Sequence, residues 1–143
     1  LLCGPMGCGK MALALALASF LLGERDDSDP LEAEAAKKMP ELSPEKRRNA
    51  EAMLAKYSHP DLLFSYPVIK PAGTGSDHKM TSDDFAKEWL QVLSQSPYFS
   101  IDQWLTAMKA ENQQARISVG ESESLIRKLS MKSSQGGYKV CII

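Results

Sequence analysis

The chain begins with LLCGPMGCGKMALALAL, residues 1–17, and this stretch decides the fold that the sequence predicts. Gly4, Gly9 and Lys10 match the pattern G-x-x-x-x-G-K, in which glycines let backbone N–H groups approach the phosphates of a nucleotide and the lysine neutralises them. Three apolar residues precede this loop, and a run of Leu and Ala, which are strong helix formers, follows it. We therefore predict an α/β protein of the P-loop NTPase class, a three-layer fold in which helices flank a parallel sheet.

The residue after the lysine departs from this pattern. Position 11 holds methionine, where phosphate loops carry a serine or threonine whose hydroxyl ligates Mg²⁺. A thioether is a soft, weak acceptor and a poor ligand for a hard cation. We expect ATP or ADP to be held without turnover, and we assign no catalytic residue and no metal ligand. The predicted nucleotide-binding residues are Gly4, Pro5, Met6, Gly7, Cys8, Gly9, Lys10 and Met11.

The composition is that of a globular domain. The chain has 143 residues, of which 43% are hydrophobic and 24% charged, enough for one buried core. A net charge of −1 gives no overall attraction for nucleic acid, so contact with DNA would need a local patch or partner proteins. No apolar run reaches the roughly 18 residues that cross a membrane. Three cysteines without C-x-x-C spacing argue against disulfides and a cysteine zinc site, and we expect a cytoplasmic protein.

The residues after the loop predict a buried helix followed by a helical insertion. The helix covers 11–22, and one face of it carries Leu13, Leu17, Phe20 and Leu21.

The insertion covers 24–58, where Asp29 and Ser43 each precede a proline, as an N-cap precedes Pro at the first helical position. We expect one helix to begin at each of these two caps. The second helix carries an amphipathic stripe of Ala50, Met53, Leu54 and Tyr57.

A strand and a polar loop follow the insertion. The strand is predicted from alternating Leu62, Phe64, Tyr66 and Val68, and it should end or lie at a sheet edge near Pro67, which has no N–H to donate. Residues 70–81 are polar turn formers and predict a loop.

Three helices and a strand complete the pattern. Ser82 and Ser100 are the predicted caps of two helices whose apolar stripes include Trp89 and Trp104, which we expect in the core. A third helix is predicted over 119–133, carrying Leu125, Ile126 and Leu129.

The final residues, YKVCII, read as a strand covered on both faces. His59 and His78 lie in predicted loops without a partner cluster, so we expect both at the surface.

Three blocks of this sequence resemble a known family. LLCGPMGCGK with the ALA that follows, HPDLLFSYPV, and SLIRKL with GGYKVCII resemble the N-terminal AAA+ module of the δ′ subunits of the bacterial DNA polymerase III clamp loader. The resemblance implies a single AAA+ module over 1–143, cut at both ends, with the Walker B acidic residues beyond Ile143. It also implies a stator, commonly inactive as an ATPase, that packs against the δ and γ/τ subunits. The ring that these subunits form opens a sliding clamp and loads it on primed DNA.

The insertion departs from the family pattern. Related clamp-loader subunits usually carry a four-cysteine zinc module between the first helix and the HPD block, whereas residues 23–58 contain no cysteine here. We expect the zinc site to be lost and the helices of 24–58 to take its place.

Two other interpretations stay open. The chain could be an active P-loop enzyme, either a γ/τ-like clamp-loader ATPase or a small kinase, although a kinase should show an Arg-rich lid and a substrate pocket that the sequence lacks. It could also be an AAA+ adaptor outside replication with a vestigial loop. Activity of the protein alone would favour the first of these, and failure to join clamp-loader subunits would favour the second.

Overall fold

The computed structural model of the chain describes residues 1–23, 43–71, 73–75, 77–135 and 137–143. It divides into two compact units, the first made of Leu1–Ala12, Phe64–Met131 and Ile143, the second of Leu13–Leu63 and Lys132–Ile142. The elements in chain order are α1 (Lys10–Leu22), α2 (Pro44–Leu54), β1 (Leu62–Phe64), a 3₁₀ turn (Ser82–Phe85), α3 (Ala86–Gln95), α4 (Ile101–Ala107), α5 (Val119–Ser130) and β2 (Val140–Ile142).

The second unit contains the paired strands. β1 and β2 form a two-stranded parallel sheet, and Val140 donates its N–H to the Asp61 carbonyl at 2.8 Å. The Asp61 side chain is buried, and its carboxylate accepts the Ser134 N–H at 2.9 Å, which fixes the turn that leads into β2. The two strands are parallel, and the described residues neither confirm nor contradict the predicted three-layer sheet.

Helix α1 begins one residue before the predicted start and ends at the predicted residue, Leu22, but it buries a different face. Leu15, Ala18 and Leu22 are buried. Leu13 and Leu17, expected inside, are 58% and 53% exposed, and Phe20 is also exposed. The prediction of the inner face was wrong because Leu alternates with Ala along the whole helix. With apolar residues on every side, the periodicity does not select a face.

The insertion is described only in its second half. Helix α2 begins at Pro44 after Ser43, as predicted, although the Ser43 side chain makes no capping hydrogen bond. Ala50 and Leu54 are buried as expected, whereas Met53 is 39% exposed. The helix predicted to begin at Asp29 lies outside the described residues.

The first unit is built on aromatic packing. Trp89 stacks on Tyr66 with ring centroids 4.0 Å apart, and Trp104 meets both rings edge-on, with both centroid distances 5.1 Å. The Trp104 indole N–H donates to the Pro67 carbonyl at 2.8 Å. Both tryptophans lie in the core, as their helical stripes predicted. Offset and edge-to-face contacts of this kind add to the free energy gained by burying the rings.

The strand before this core is shorter than predicted. β1 ends at Phe64, before Pro67, which confirms the expected end of the strand near that proline. Val68 pairs separately with Arg116 in an antiparallel bridge, with N···O distances of 3.1 and 3.0 Å in the two directions. The proline interrupts the ladder because it has no N–H, and the chain then continues beside a different segment.

A buried carboxylate anchors the start of the 3₁₀ turn. Ser82, predicted as a helix cap, instead donates its backbone N–H to Glu121 Oε2 at 2.6 Å and its hydroxyl to Glu121 Oε1 at 2.5 Å. Tyr66 donates its hydroxyl to the Ser82 carbonyl at 2.6 Å, and burial, with the nearby Asp83 charge, raises the pKa of that phenol. The capping role belongs to Thr81, whose N–H donates to Asp84 Oδ2 at 2.7 Å. The Ser82 prediction was one residue off because tertiary contacts withdrew its side chain from the helix end.

We expect the Asp84 cap to make stability depend on pH. Burial raises the pKa of Asp84, but the Thr81 N–H and the neighbouring His78 outweigh it and hold the pKa below its ordinary value. A carboxyl whose pKa is lowered by folding stabilises the fold above its unfolded pKa and loses this effect as pH falls through the folded value. Urea unfolding should therefore show that Asp84→Asn costs about 0.5–1 kcal/mol at pH 7 and less below about pH 4. Asp102→Asn, at an exposed site in α4, is the control, and an equal loss at both pH values would contradict the assignment.

The remaining elements follow the prediction with shorter ends. Ser100 caps α4 by accepting the Gln103 N–H at 3.3 Å, but that helix ends at Ala107. α5 covers Val119–Ser130, and two apolar residues expected on its stripe are exposed, Ile126 at 67% and Leu129 at 47%. Within the described ranges, every helix is too short or too polar to span a lipid bilayer.

Candidate phosphate-binding loop

The loop at 4–9 turns into the first residue of α1. Gly7 and Gly9 both have left-handed backbone angles, with φ of 79° and 87°, which residues with a Cβ rarely adopt. A Cβ on Gly4 would lie 2.6 Å from Cys8 Sγ, so a larger residue there would force the Cys8 side chain to move. Gly9, which belongs to the predicted pattern, and Gly7, which does not, are therefore at positions whose backbone favours glycine. They bring the loop backbone to the N-terminus of a 13-residue helix, where N–H groups and the helix dipole favour an anion.

The Lys10 ammonium lies across this loop. Its Nζ donates to the Gly4 carbonyl at 2.8 Å and to the Pro5 carbonyl at 2.7 Å, and lies 3.6 Å from Cys8 Sγ. The positive charge therefore sits at the loop itself, supported by carbonyl oxygens. An incoming phosphate would draw the ammonium away from these carbonyls, exchanging neutral acceptors for an anionic one and adding the Coulombic attraction between opposite charges.

Met11 contributes to the core of the first unit. Its side chain is half-buried and packs against the aromatic cluster that holds Trp89 and Trp104. The methionine thus fills space with an unbranched apolar side chain, and it places no oxygen beside Lys10. Seven of the eight predicted residues lie in the turn and at the first position of α1, with residues 4–8 exposed, and the eighth, Met11, packs against the core of the first unit.

Sequence reasoning missed Tyr98. A Cβ built on Gly9 would lie 3.6 Å from Tyr98 Cε1 and 3.7 Å from its hydroxyl oxygen, so this ring stands directly beside the loop. Tyr98 is 60% exposed and outside the apolar stripes, between a Ser-Pro turn and a helix cap. The available signal was an aromatic residue in a polar connection, where no packing role explains it.

The other candidate groups do not form a site. His59, expected at the surface, is only 2% exposed, and its Nδ1 accepts the Asp61 N–H at 3.1 Å. Burial here comes from tertiary packing that a loop position does not reveal. His78 is exposed and pairs with Asp84 at 3.0 Å, as a surface histidine should. Among the described residues, no three His, Cys, Asp or Glu side chains gather as metal ligands would.

A separate cavity of about 310 Å³ lies in the first unit beside the start of α5. Val68 and Ile69 line its apolar part, and Lys70, Lys79 and Arg116 bring positive charge to it. Glu123 already pairs with Lys79 at 2.8 Å, so an anion entering this cavity must compete with a carboxylate. The loop at residues 4–10 is the better candidate, because there the lysine is held only by neutral acceptors.

We expect Met11→Thr to make nucleotide binding depend on magnesium. The threonine hydroxyl restores the missing metal ligand, while the lost packing lowers the free energy of unfolding by about 1–2 kcal/mol, less than full burial would give. Titration of ATP with Mg²⁺ and with EDTA measures the first effect, and urea unfolding the second. Met131→Thr, at an exposed position outside the loop, is the control. Identical ATP affinities in Mg²⁺ and EDTA for Met11→Thr would contradict this reading of position 11.

Comparisons of the chain with models of protein families, with curated proteins and with solved structures gave no match. The family resemblance therefore rests on the residues of the sequence blocks alone.

Proposed function

We propose that the chain is a δ′-like subunit of the bacterial DNA polymerase III clamp loader, a stator whose phosphate loop does not turn over ATP. The single observation that carries the proposal is the state of this loop. Gly4 to Lys10 form a turn with two left-handed glycines, Gly7 and Gly9, that leads into α1, while Met11 packs against the aromatic cluster of the first unit. This turn supports descent from an ATPase, and the missing metal ligand supports loss of its chemistry.

The strand pairing adds support. In the resembled family, the HPD block and the block ending in KVCII are strands of the AAA+ sheet. Here the corresponding residues, Leu62–Phe64 and Val140–Ile142, lie side by side and parallel. Under this proposal the partners are those of the resembled family: the δ and γ/τ subunits, and through them the sliding clamp and primed DNA. The complex would act in the cytoplasm and without a membrane.

The runner-up is an active P-loop enzyme, a γ/τ-like ATPase or a small kinase. It would need a Mg²⁺ ligand in place of Met11, and the inward packing of that side chain disfavours it. The AAA+ adaptor outside replication shares the silent loop and differs only in its partners. A steady ATP hydrolysis assay on the full protein separates the enzyme from the other two, since turnover at the rate of ordinary AAA+ ATPases would refute the stator.

Co-expression tests the proposed partners. The full protein carrying an affinity tag is co-expressed with the δ and γ/τ subunits of the same genome, and the eluted complex is sized by gel filtration. We expect all three proteins to elute together in fixed ratios. Omitting γ/τ is the control for direct binding to δ. Recovery of the tagged protein alone would refute the clamp-loader assignment and leave the adaptor.

A further inference from the structure

We propose that Tyr98 belongs to the phosphate site, and that its phenol hydroxyl donates a hydrogen bond to a phosphate group held at Gly9 and the N-terminus of α1. This inference rests on the part of the proposed function in which the loop keeps its ability to bind phosphate. It adds a residue that the phosphate-loop pattern does not contain, from a segment far along the chain.

The Tyr98 ring lies beside the last glycine of the loop. Tyr98 Cε1 and its hydroxyl oxygen lie 3.6 and 3.7 Å from the point where a Cβ of Gly9 would stand. Gly9 immediately precedes Lys10, the first residue of α1, so the phenol lies next to the point at which the loop leads into the helix. Both residues belong to the first unit.

The backbone around Tyr98 is held in place by its neighbours. The Tyr98 N–H donates to Ser96 Oγ at 3.0 Å, and the next residue, Phe99, packs edge-on against Trp89 at a centroid distance of 5.3 Å. Ser100 then caps α4 and donates its own N–H to Gln103 Oε1 at 2.8 Å. A side chain anchored on both sides is presented to a ligand with little loss of conformational entropy.

The Tyr98 hydroxyl is available to a ligand. Among the described residues the Tyr98 hydroxyl has no hydrogen-bond partner, and the side chain is 60% exposed even though its neighbours are packed. The ring is therefore largely exposed to solvent, while its hydroxyl oxygen lies beside Gly9 of the loop. The loop lacks a hydroxyl at position 11, and Tyr98 supplies one from outside the motif.

The chemistry of this hydroxyl predicts what it recognises. A neutral phenol donates one O–H and is not a ligand of choice for Mg²⁺. Binding through Tyr98 should therefore be to the phosphate group and should not require the metal. The ligand class is a pyrophosphate-containing molecule such as a nucleoside diphosphate, with its phosphates in the loop.

The test compares Tyr98→Phe and Tyr98→Ala with the wild type by calorimetric titration of the full protein with ADP and, separately, with inorganic pyrophosphate, both in EDTA. Loss of a hydrogen bond to a charged group should weaken both ligands by about 10- to 100-fold. Tyr138→Phe is the matched control, because Tyr138 is similarly exposed, at 51%, and lies in the second unit. Its affinities should equal those of the wild type.

Each other outcome overturns the inference. Unchanged affinities in Tyr98→Phe would show that the hydroxyl makes no contact. A loss seen only in Tyr98→Ala and only for ADP would mean that the ring stacks on the base instead. Tighter binding in Tyr98→Ala would mean that the ring obstructs the loop. If the wild type binds neither ligand, the phosphate site itself is absent, whereas the clamp-loader assignment still stands or falls with co-purification.

Discussion

Replacement of Trp104 by alanine is expected to lower the free energy of unfolding by about 3–5 kcal/mol, the range found for large aromatic residues removed from a core. The indole is 1% exposed. It meets Tyr66 and Trp89 edge-on, and its N–H is satisfied by the Pro67 carbonyl at 2.8 Å. Truncation removes all of these contacts and leaves a cavity with an unpaired carbonyl beside it.

Urea unfolding followed by circular dichroism measures this loss. Ile101→Ala is the control on the same helix, because Ile101 is 49% exposed and its truncation should cost no more than about 0.5–1 kcal/mol. Equal effects of the two substitutions would show that the aromatic cluster is not the core of the first unit.

Replacement of Glu121 by alanine should have the next largest effect, a loss of about 2–4 kcal/mol. Glu121 is 2% exposed, and its two carboxylate oxygens accept the N–H and the hydroxyl of Ser82. Without the carboxylate, the buried Ser82 N–H loses its partner where the 3₁₀ turn begins, and the hydroxyl keeps only the Phe64 carbonyl at 3.1 Å. The Tyr66 hydrogen bond to the Ser82 carbonyl depends on the same backbone position.

Glu123→Ala, two residues further along the same helix, is the control. Glu123 lies on the same helix and pairs with Lys79 at 2.8 Å, but its side chain is 52% exposed, so the pair contributes little. Thermal unfolding of both variants should show a clear fall in midpoint for Glu121→Ala and almost none for Glu123→Ala. A similar small change in both would mean that the buried carboxylate does not hold the turn.

The local features of the fold were predictable where one residue type determines the geometry. Gly4 and Gly9 with Lys10 predicted the loop, and the Ala and Leu that follow predicted α1, because backbone freedom and helix propensity are local properties. Ser100 and Pro67 likewise marked a helix start and a strand end. Each of these effects acts within a few residues of its cause.

Features that depend on distant contacts were not predictable. The exposed face of α1 was chosen wrongly because Leu13 and Leu15 are chemically alike, and only the packing distinguishes them. Ser82 was predicted to be a helix cap, but its hydroxyl donates instead to the carboxylate of Glu121, 39 positions away. His59 has the sequence context of a surface loop and is buried. In each case the deciding partner lies in another segment.

The candidate site divides in the same way. Residues 4–10 were predicted from their spacing, and so was the loss of the metal ligand at Met11. The inward packing of Met11 and the position of Tyr98 beside Gly9 both come from residues 64–131, which the sequence does not connect to the loop. Two contacts join the loop to these residues: Met11 packs against the aromatic cluster, and Tyr98 lies beside Gly9. The packing of Met11 gives a structural reason for methionine at position 11.

The most direct test of the account is a clamp-loading assay with the full protein. Purified δ, γ/τ and this protein are mixed with the sliding clamp, primed circular DNA and ATP, and clamps retained on the DNA are counted with and without this protein. If the protein is a stator, clamp loading requires it, although the protein alone does not hydrolyse ATP. Loading at the same rate without it would contradict the proposed role.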